Sequence, residues 1–144
     1  MLPKQPISPN EAHVLIIEDH IHSAALFGRM LDFAGVRRHE QNASGREALK
    51  RADKMSRLDL ILMDLNLPDQ SGYEILNKLR QNPRLVDTCV IAVTADTNTA
   101  TMEKARRAGF DGFLGKPVDP DRFSNLLTDI LNGEAIWDLG DVRW

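Results

Sequence analysis

Short apolar runs alternate along this chain with longer segments whose apolar positions recur every three or four residues. The runs fall at 14–17, 58–63, 89–93 and 112–114, too short for helices and apolar enough to be strands covered on both faces. The longer segments carry the helical period. Ala24, Phe27, Leu31 and Ala34 stand at i, i+3, i+7 and i+10 before Gly35, and Ala48, Leu49 and Ala52 share a face behind Ser44, a good N-cap. A third helix is expected from about Ser71 through Ile75, Leu76 and Leu79 to Asn82-Pro83, because proline disfavours helix in the residue before it. Met102, Ala105 and Ala108 mark a fourth, before Gly109, and Phe123, Leu126, Leu127 and Ile130 give the fifth a full apolar stripe.

One more strand is expected near Val36 to Gln41, although Arg37, Arg38, His39 and Glu40 make it polar. An edge position would account for that polarity. Five βα units result, and strands with two apolar faces require helices on both sides of a parallel sheet. The predicted architecture is therefore α/β, doubly wound and five-stranded, with the strand order left open by periodicity. Residues 1–12, with three prolines, read as a flexible lead, 13–131 as the domain and 132–144 as a short apolar tail.

The strand ends carry the chemistry. Glu18 and Asp19 follow Val14-Leu15-Ile16-Ile17, Asp64 follows Leu60-Ile61-Leu62-Met63, Thr94 follows Val90-Ile91-Ala92-Val93, and Lys116-Pro117 follows Phe113-Leu114-Gly115. In a parallel sheet these ends lie along one edge, where open α/β sheets place their ligands. Three carboxylates, a hydroxyl and an ammonium would then share one pocket. Carboxylates hold a hard divalent cation through oxygen, while a hydroxyl and an ammonium hold phosphoryl oxygens. Carboxylates in close company repel one another, a penalty that such a cation removes.

These motifs, in this order on alternating strands and helices, resemble the receiver domain of two-component response regulators over roughly residues 13–131. The resemblance implies a flavodoxin-like sheet in the order 2-1-3-4-5, with the switch point between the first and third strands. It also implies that Asp64, within Met63-Asp64-Leu65-Asn66-Leu67-Pro68-Asp69, is the phosphoacceptor and that Glu18-Asp19 is the acidic pair. Thr94 is similar to the family's switch hydroxyl, Phe113 to its switch aromatic, and Lys116 to its pocket lysine, joined to Pro117 by a cis bond. The implied cofactor is Mg2+ or Mn2+, ligated by Asp19, Asp64 and the backbone carbonyl of Asn66, with Glu18 acting mainly through water. Asn66 and Asp96 stand where this family tunes access of attacking water and hence dephosphorylation. His20 follows the acidic pair and is assigned no role.

By the same resemblance, Asp64 attacks the phosphorus of a phosphohistidine on a sensor histidine kinase or histidine phosphotransfer protein and becomes an acyl phosphate. Thr94 then contacts a phosphoryl oxygen and Phe113 rotates inward. The surface formed by the fourth helix, fifth strand and fifth helix changes, and a downstream protein target reads it. Such a protein is a signalling switch, not a conventional enzyme.

Composition narrows the alternatives. At 144 residues, 42% of them hydrophobic, the chain is one domain with a core of its own. A net charge of −3 gives no general attraction to a polyanion, so nucleic acid is not an expected partner. Cys89 is the sole cysteine and stands at the start of an apolar run, which reads as a small buried hydrophobe outside any disulfide. With no signal-like h-region and no apolar run approaching the roughly 20 residues that span a bilayer, a cytoplasmic location without a membrane is expected.

After Leu131 about a dozen residues remain, which points to a stand-alone receiver without an output domain. A small α/β phosphatase with an aspartyl nucleophile is the alternative, but such enzymes resemble Asp-x-Asp and the second position here is Asn66. A flavodoxin-like flavin binder lacks support because the first strand is followed by acids and not by a phosphate-cradling loop. Ile136, Trp137, Leu139, Val142 and Trp144 are too apolar for an inert tail. Folding back onto the domain and docking on a second copy, as a homodimer, or on another partner remain open for it.

Overall fold

The computed structural model describes residues 5–140. After a 3-10 turn at Pro9–Glu11 the elements run β1 (His13–Ile17), α1 (Ile21–Phe33), β2 (Arg38–Asn42), α2 (Gly45–Lys54), β3 (Leu60–Asp64), α3 (Gly72–Gln81), β4 (Cys89–Thr94), α4 (Thr99–Ala108), β5 (Gly112–Gly115), α5 (Pro120–Leu131) and β6 (Trp137–Asp138). All strands pair in parallel in the order β2-β1-β3-β4-β5-β6. The helices begin where local chemistry directs. Ser44 and Ser71 accept hydrogen bonds from the N–H groups of Glu47 and Glu74, and Asn98 and Asp119 cap α4 and α5 in the same manner.

Successive strand residues point to opposite faces, and this divides the core in two. Val14, Ile16, Leu60, Leu62, Ile91, Val93 and Leu114 face Phe27 and Leu31 of α1 and Phe123 and Leu127 of α5. Leu15, Ile17, Ile61, Met63, Val90, Ala92 and Phe113 face Ala48 of α2, Ile75 and Leu76 of α3 and Ala105 of α4. Within the first layer Phe27 and Phe123 meet edge to face, their centroids 6.1 Å apart. This two-sided burial is why β3 reads as an unbroken apolar run, every residue of it buried.

The polar strand β2 sits at the edge beside β1, as its composition predicts. It begins at Arg38, two residues later than Val36, because the Val36 N–H instead donates to Leu31 O at the end of α1 (2.9 Å). Two expectations need correction. The sheet has a sixth strand, because part of the tail pairs with β5. The described part of the lead is docked and not loose: Ile7 donates its N–H to Leu131 O (3.1 Å), its side chain packs on the α1–α5 layer, and Ala12 is fully buried. Of the tail residues singled out above, Val142 and Trp144 lie outside the described residues.

The two-layer core generates a stability prediction. Phe123→Ala removes a fully enclosed ring and is expected to cost about 3–5 kcal/mol, lowering the urea midpoint of unfolding. Phe33→Ala at the end of α1, where the side chain is 87% exposed, is expected to stay within about 0.5 kcal/mol of wild type. Equal midpoints for the two variants would contradict the assigned core.

Candidate functional site

Strand register brings the polar ends together. Met63 pairs with Ile17, Asp64 with Val93 and Thr94 with Gly115, so Glu18, Asp19, Asp64, Thr94 and Lys116 all emerge at the C-terminal edge of the sheet. Lys116 stands at the centre. Its Nζ donates to Glu18 Oε2 at 2.6 Å and to Asp64 Oδ2 at 2.9 Å. The second Asp64 oxygen, Oδ1, accepts the Asn66 N–H at 2.8 Å, and Glu18 Oε1 accepts the His20 N–H at 3.2 Å. Lys116 is joined to Pro117 by a cis bond, as the family resemblance implies.

Glu18, Asp64 and Thr94 are buried, while Asn66 and Asp96 are exposed at the mouth. The Thr94 hydroxyl oxygen accepts the Asp96 N–H at 3.1 Å, which leaves its proton free to be donated into the pocket. Asp96 itself is held by Asn98 and Thr101 at the start of α4. Phe113 is fully buried on the α2–α3–α4 side of the sheet. The structure adds Asp69, quoted above only as part of a motif. Its two oxygens accept the Gly45 and Arg46 N–H groups, and these bonds at the start of α2 hold the carboxyl below its ordinary range. Nothing local in the sequence signals that contact between segments 24 residues apart.

Electrostatics set the chemistry of the cluster. Burial pushes the Glu18 carboxyl up, and the neighbouring Asp64 adds to this while Lys116 opposes it. For Lys116 burial opposes the charge, but the Glu18 and Asp64 carboxylates outweigh it and raise its pKa. Asp19 supplies a second kind of signal, because its Oδ1 is buried yet accepts no hydrogen bond. A buried acceptor left unsatisfied is costly. Ligand atoms of Glu18, Asp19 and His20 all lie within 4.8 Å of one another. Within this group the Glu18 and Asp19 carboxylates, the latter with an orphaned buried oxygen, fit a hard divalent cation of the Mg2+ type.

The family model described as the response regulator receiver domain matches residues 14–128. This chain belongs to that family. The signal transduction histidine-protein kinase BarA of Escherichia coli K12 is 35% identical over 136 residues, which cover 94% of this chain and 15% of the kinase. The chain thus spans about 15% of the length of the first curated relatives it matches. The polar-differentiation response regulator DivK of Brucella anthropi is 34% identical over 122 residues, 85% of this chain and 97% of DivK. Among solved structures, the receiver domain of sensor histidine kinase PA1611 from Pseudomonas aeruginosa PAO1 superposes with a TM-score of 0.75 at 27% identity. The match covers 85% of this chain and 98% of that one, and that domain has a magnesium ion coordinated in its active site cleft. Among the described residues of the present chain, no helix is long and apolar enough to cross a membrane.

The raised Glu18 carboxyl generates a pH prediction. A group whose pKa is higher folded than unfolded favours the folded state below the unfolded value, and this contribution is lost as pH rises through the folded value. Without added cation, wild type is therefore expected to lose stability relative to Glu18→Gln as pH rises from about 4 to 7. Thermal melts of both proteins in chelator check this. A constant difference between them across that range would remove the assigned burial cost.

Proposed function

We propose that the chain is a phosphoacceptor switch of a two-component or phosphorelay system, with Asp64 as the acceptor. The observation that carries this reading is the arrangement of Asp64 itself. One oxygen is held by the Asn66 N–H and the other by Lys116, beside a carboxylate, Asp19, whose buried oxygen has no partner. Asp19, Asp64 and the Asn66 carbonyl would hold Mg2+ or Mn2+, with Glu18 reaching it through water. When bound, the cation offsets the like charges and neutralises phosphoryl oxygens.

The chain's own groups account for the rest. An Asp64 oxygen forms a bond to phosphorus as the bond from phosphorus to a histidine nitrogen of the donor breaks, and the imidazole leaves with that electron pair. Lys116 transfers its ammonium contacts from the two carboxylates to a phosphoryl oxygen. Thr94, whose oxygen is already engaged by the Asp96 N–H, donates its proton to another. Its movement draws in the β4–α4 loop and reshapes the surface of α4, β5 and α5 next to Phe113. Exposed Asn66 and Asp96 meet incoming water and set how long the acyl phosphate lasts.

The donor is a sensor histidine kinase or a histidine phosphotransfer protein, in keeping with the kinase BarA and the regulator DivK among the relatives. The readout is contact with a downstream protein or a second copy, so the chain acts as a cytoplasmic switch and not as a turnover enzyme.

Three measurements test this. Added Mg2+ is expected to raise the melting temperature, by an amount equivalent to about 2.7 kcal/mol at a hundredfold excess over Kd, with no rise in Asp19→Asn. With Mg2+ and acetyl phosphate, intact mass is expected to show one added phosphoryl group on wild type and none on Asp64→Asn. Lys116→Ala should keep the cation response and lose most of the phosphorylation-linked surface change. Equal phosphorylation of wild type and Asp64→Asn would overturn the assignment.

A further inference from the structure

At the end of the sheet remote from Asp64, a cleft of about 450 Å3 opens between the start of β2 and the turn that joins α2 to β3. Arg37, Arg38, Arg51, Lys54 and Arg57 line it against a single acid, Glu40. The whole chain has 18 Lys and Arg against 21 Asp and Glu, so this gathering of cations in one concave place runs against the balance of the molecule.

Most of that charge is uncommitted. Glu40 is held by Arg51 through two bonds of 2.7 Å, and Arg57 gives its Nε to Asp59 at 2.9 Å. Arg38 Nη1 meets the His13 ring at 3.4 Å and no acid. Arg37, Arg38 and Lys54 form no ion pair with any described residue, and all three are exposed. The carbonyls at the end of α2 would repel an anion, but Arg84 engages those of Asp53 and Met55, the latter at 2.6 Å. Protection of a sheet edge needs charge and no excess of one sign. The self-neutralising Glu40–Arg51 pair meets that need, and the surplus beside it calls for a counter-ion.

The lining selects the kind of anion. Guanidinium forks match phosphate oxygens in pairs, and an ammonium holds them as a point charge. No Phe, Tyr or Trp lines the cleft, so a nucleobase has no such ring to stack on. The volume lies within the range of small-molecule sites, about 300–1,000 Å3, and a net charge of −3 disfavours a long polyanion that would run on over the surface. We infer that this cleft is a binding site for an oligophosphate chain, free or carried by a nucleotide, held by Arg37, Arg38 and Lys54. The inference stands independently of phosphorylation at Asp64.

Isothermal titration calorimetry of the full-length chain with sodium tripolyphosphate tests it, at low salt and in chelator so that no Mg2+ bridges the ligand to the carboxylate cluster. One-to-one binding is expected. ATP should bind within about threefold of tripolyphosphate, and orthophosphate at least roughly tenfold more weakly. Arg38→Ala with Lys54→Ala should weaken tripolyphosphate binding at least roughly tenfold, while Lys50→Ala, on α2 outside the cleft, should leave it within about twofold. Arg37→Ala, at an exposed position outside both β2 and α2, carries the same test should the double variant lose cooperative unfolding. No saturable binding, or equal affinity in wild type and the cleft variants, would overturn the site. Orthophosphate as tight as tripolyphosphate, a far tighter complex with ATP, or a tighter one with an oligoglutamate peptide would overturn the assigned ligand.

Discussion

One ammonium group holds the functional edge together. Glu18, Asp19 and Asp64 place three carboxylates at the ends of two adjacent strands, and Lys116 is bonded to two of them. At an effective dielectric of about 20, unit charges 4 Å apart interact by about 4 kcal/mol, so an uncompensated cluster would strain the sheet end. Lys116 meets part of that demand from β5. Asp19 remains outside its reach, and the orphaned oxygen there marks where a cation would complete the balance. Burial raises the Glu18 carboxyl above its ordinary range, and the neighbouring Asp64 adds to that rise.

The apolar sheet makes this arrangement tolerable. Fully buried residues of β1, β3, β4 and β5 fill both layers, and in-register parallel pairing fixes where each strand ends. Hydrophobic burial stabilises the frame, so a costly polar cluster can persist at one edge of it. The loops that hold the polar groups are themselves anchored: Asp69 is tied to the start of α2 and Asp96 to the start of α4.

At the far end of the sheet a different constraint operates. A parallel sheet exposes unpaired backbone at each edge. On the β2 side the strand is short and charged, with Glu40 and Arg51 in a bidentate pair across to α2. On the β5 side the chain's own tail covers the edge, and β5 gives up side chains at Gly112 and Gly115 to admit it. One edge is guarded by charge and the other by the chain's own tail strand. Phe113 lies at the junction, its backbone bonded to the tail and its ring within the core.

Much of this was legible in the sequence. Hydrophobic periodicity depends only on local spacing, so the alternating elements, the Ser44 cap and the polar edge strand β2 could be read directly. The polar residues that end each strand could be read in the same way. Their convergence on one pocket rests on parallel pairing, which the two-faced apolar runs already required. The strand order came with the family resemblance, since periodicity carries no information about which strand lies beside which. The sixth strand, the docked lead, the Asp69 contact to α2 and the orphaned Asp19 oxygen were decided by tertiary structure alone. Each depends on distances between segments remote in sequence: the room left by a missing Cβ, a carbonyl exposed at the end of α5, an unpaired helix N-terminus, or a carboxylate just beyond the reach of a lysine. Local pattern fixes what a segment can become, and packing decides what it meets.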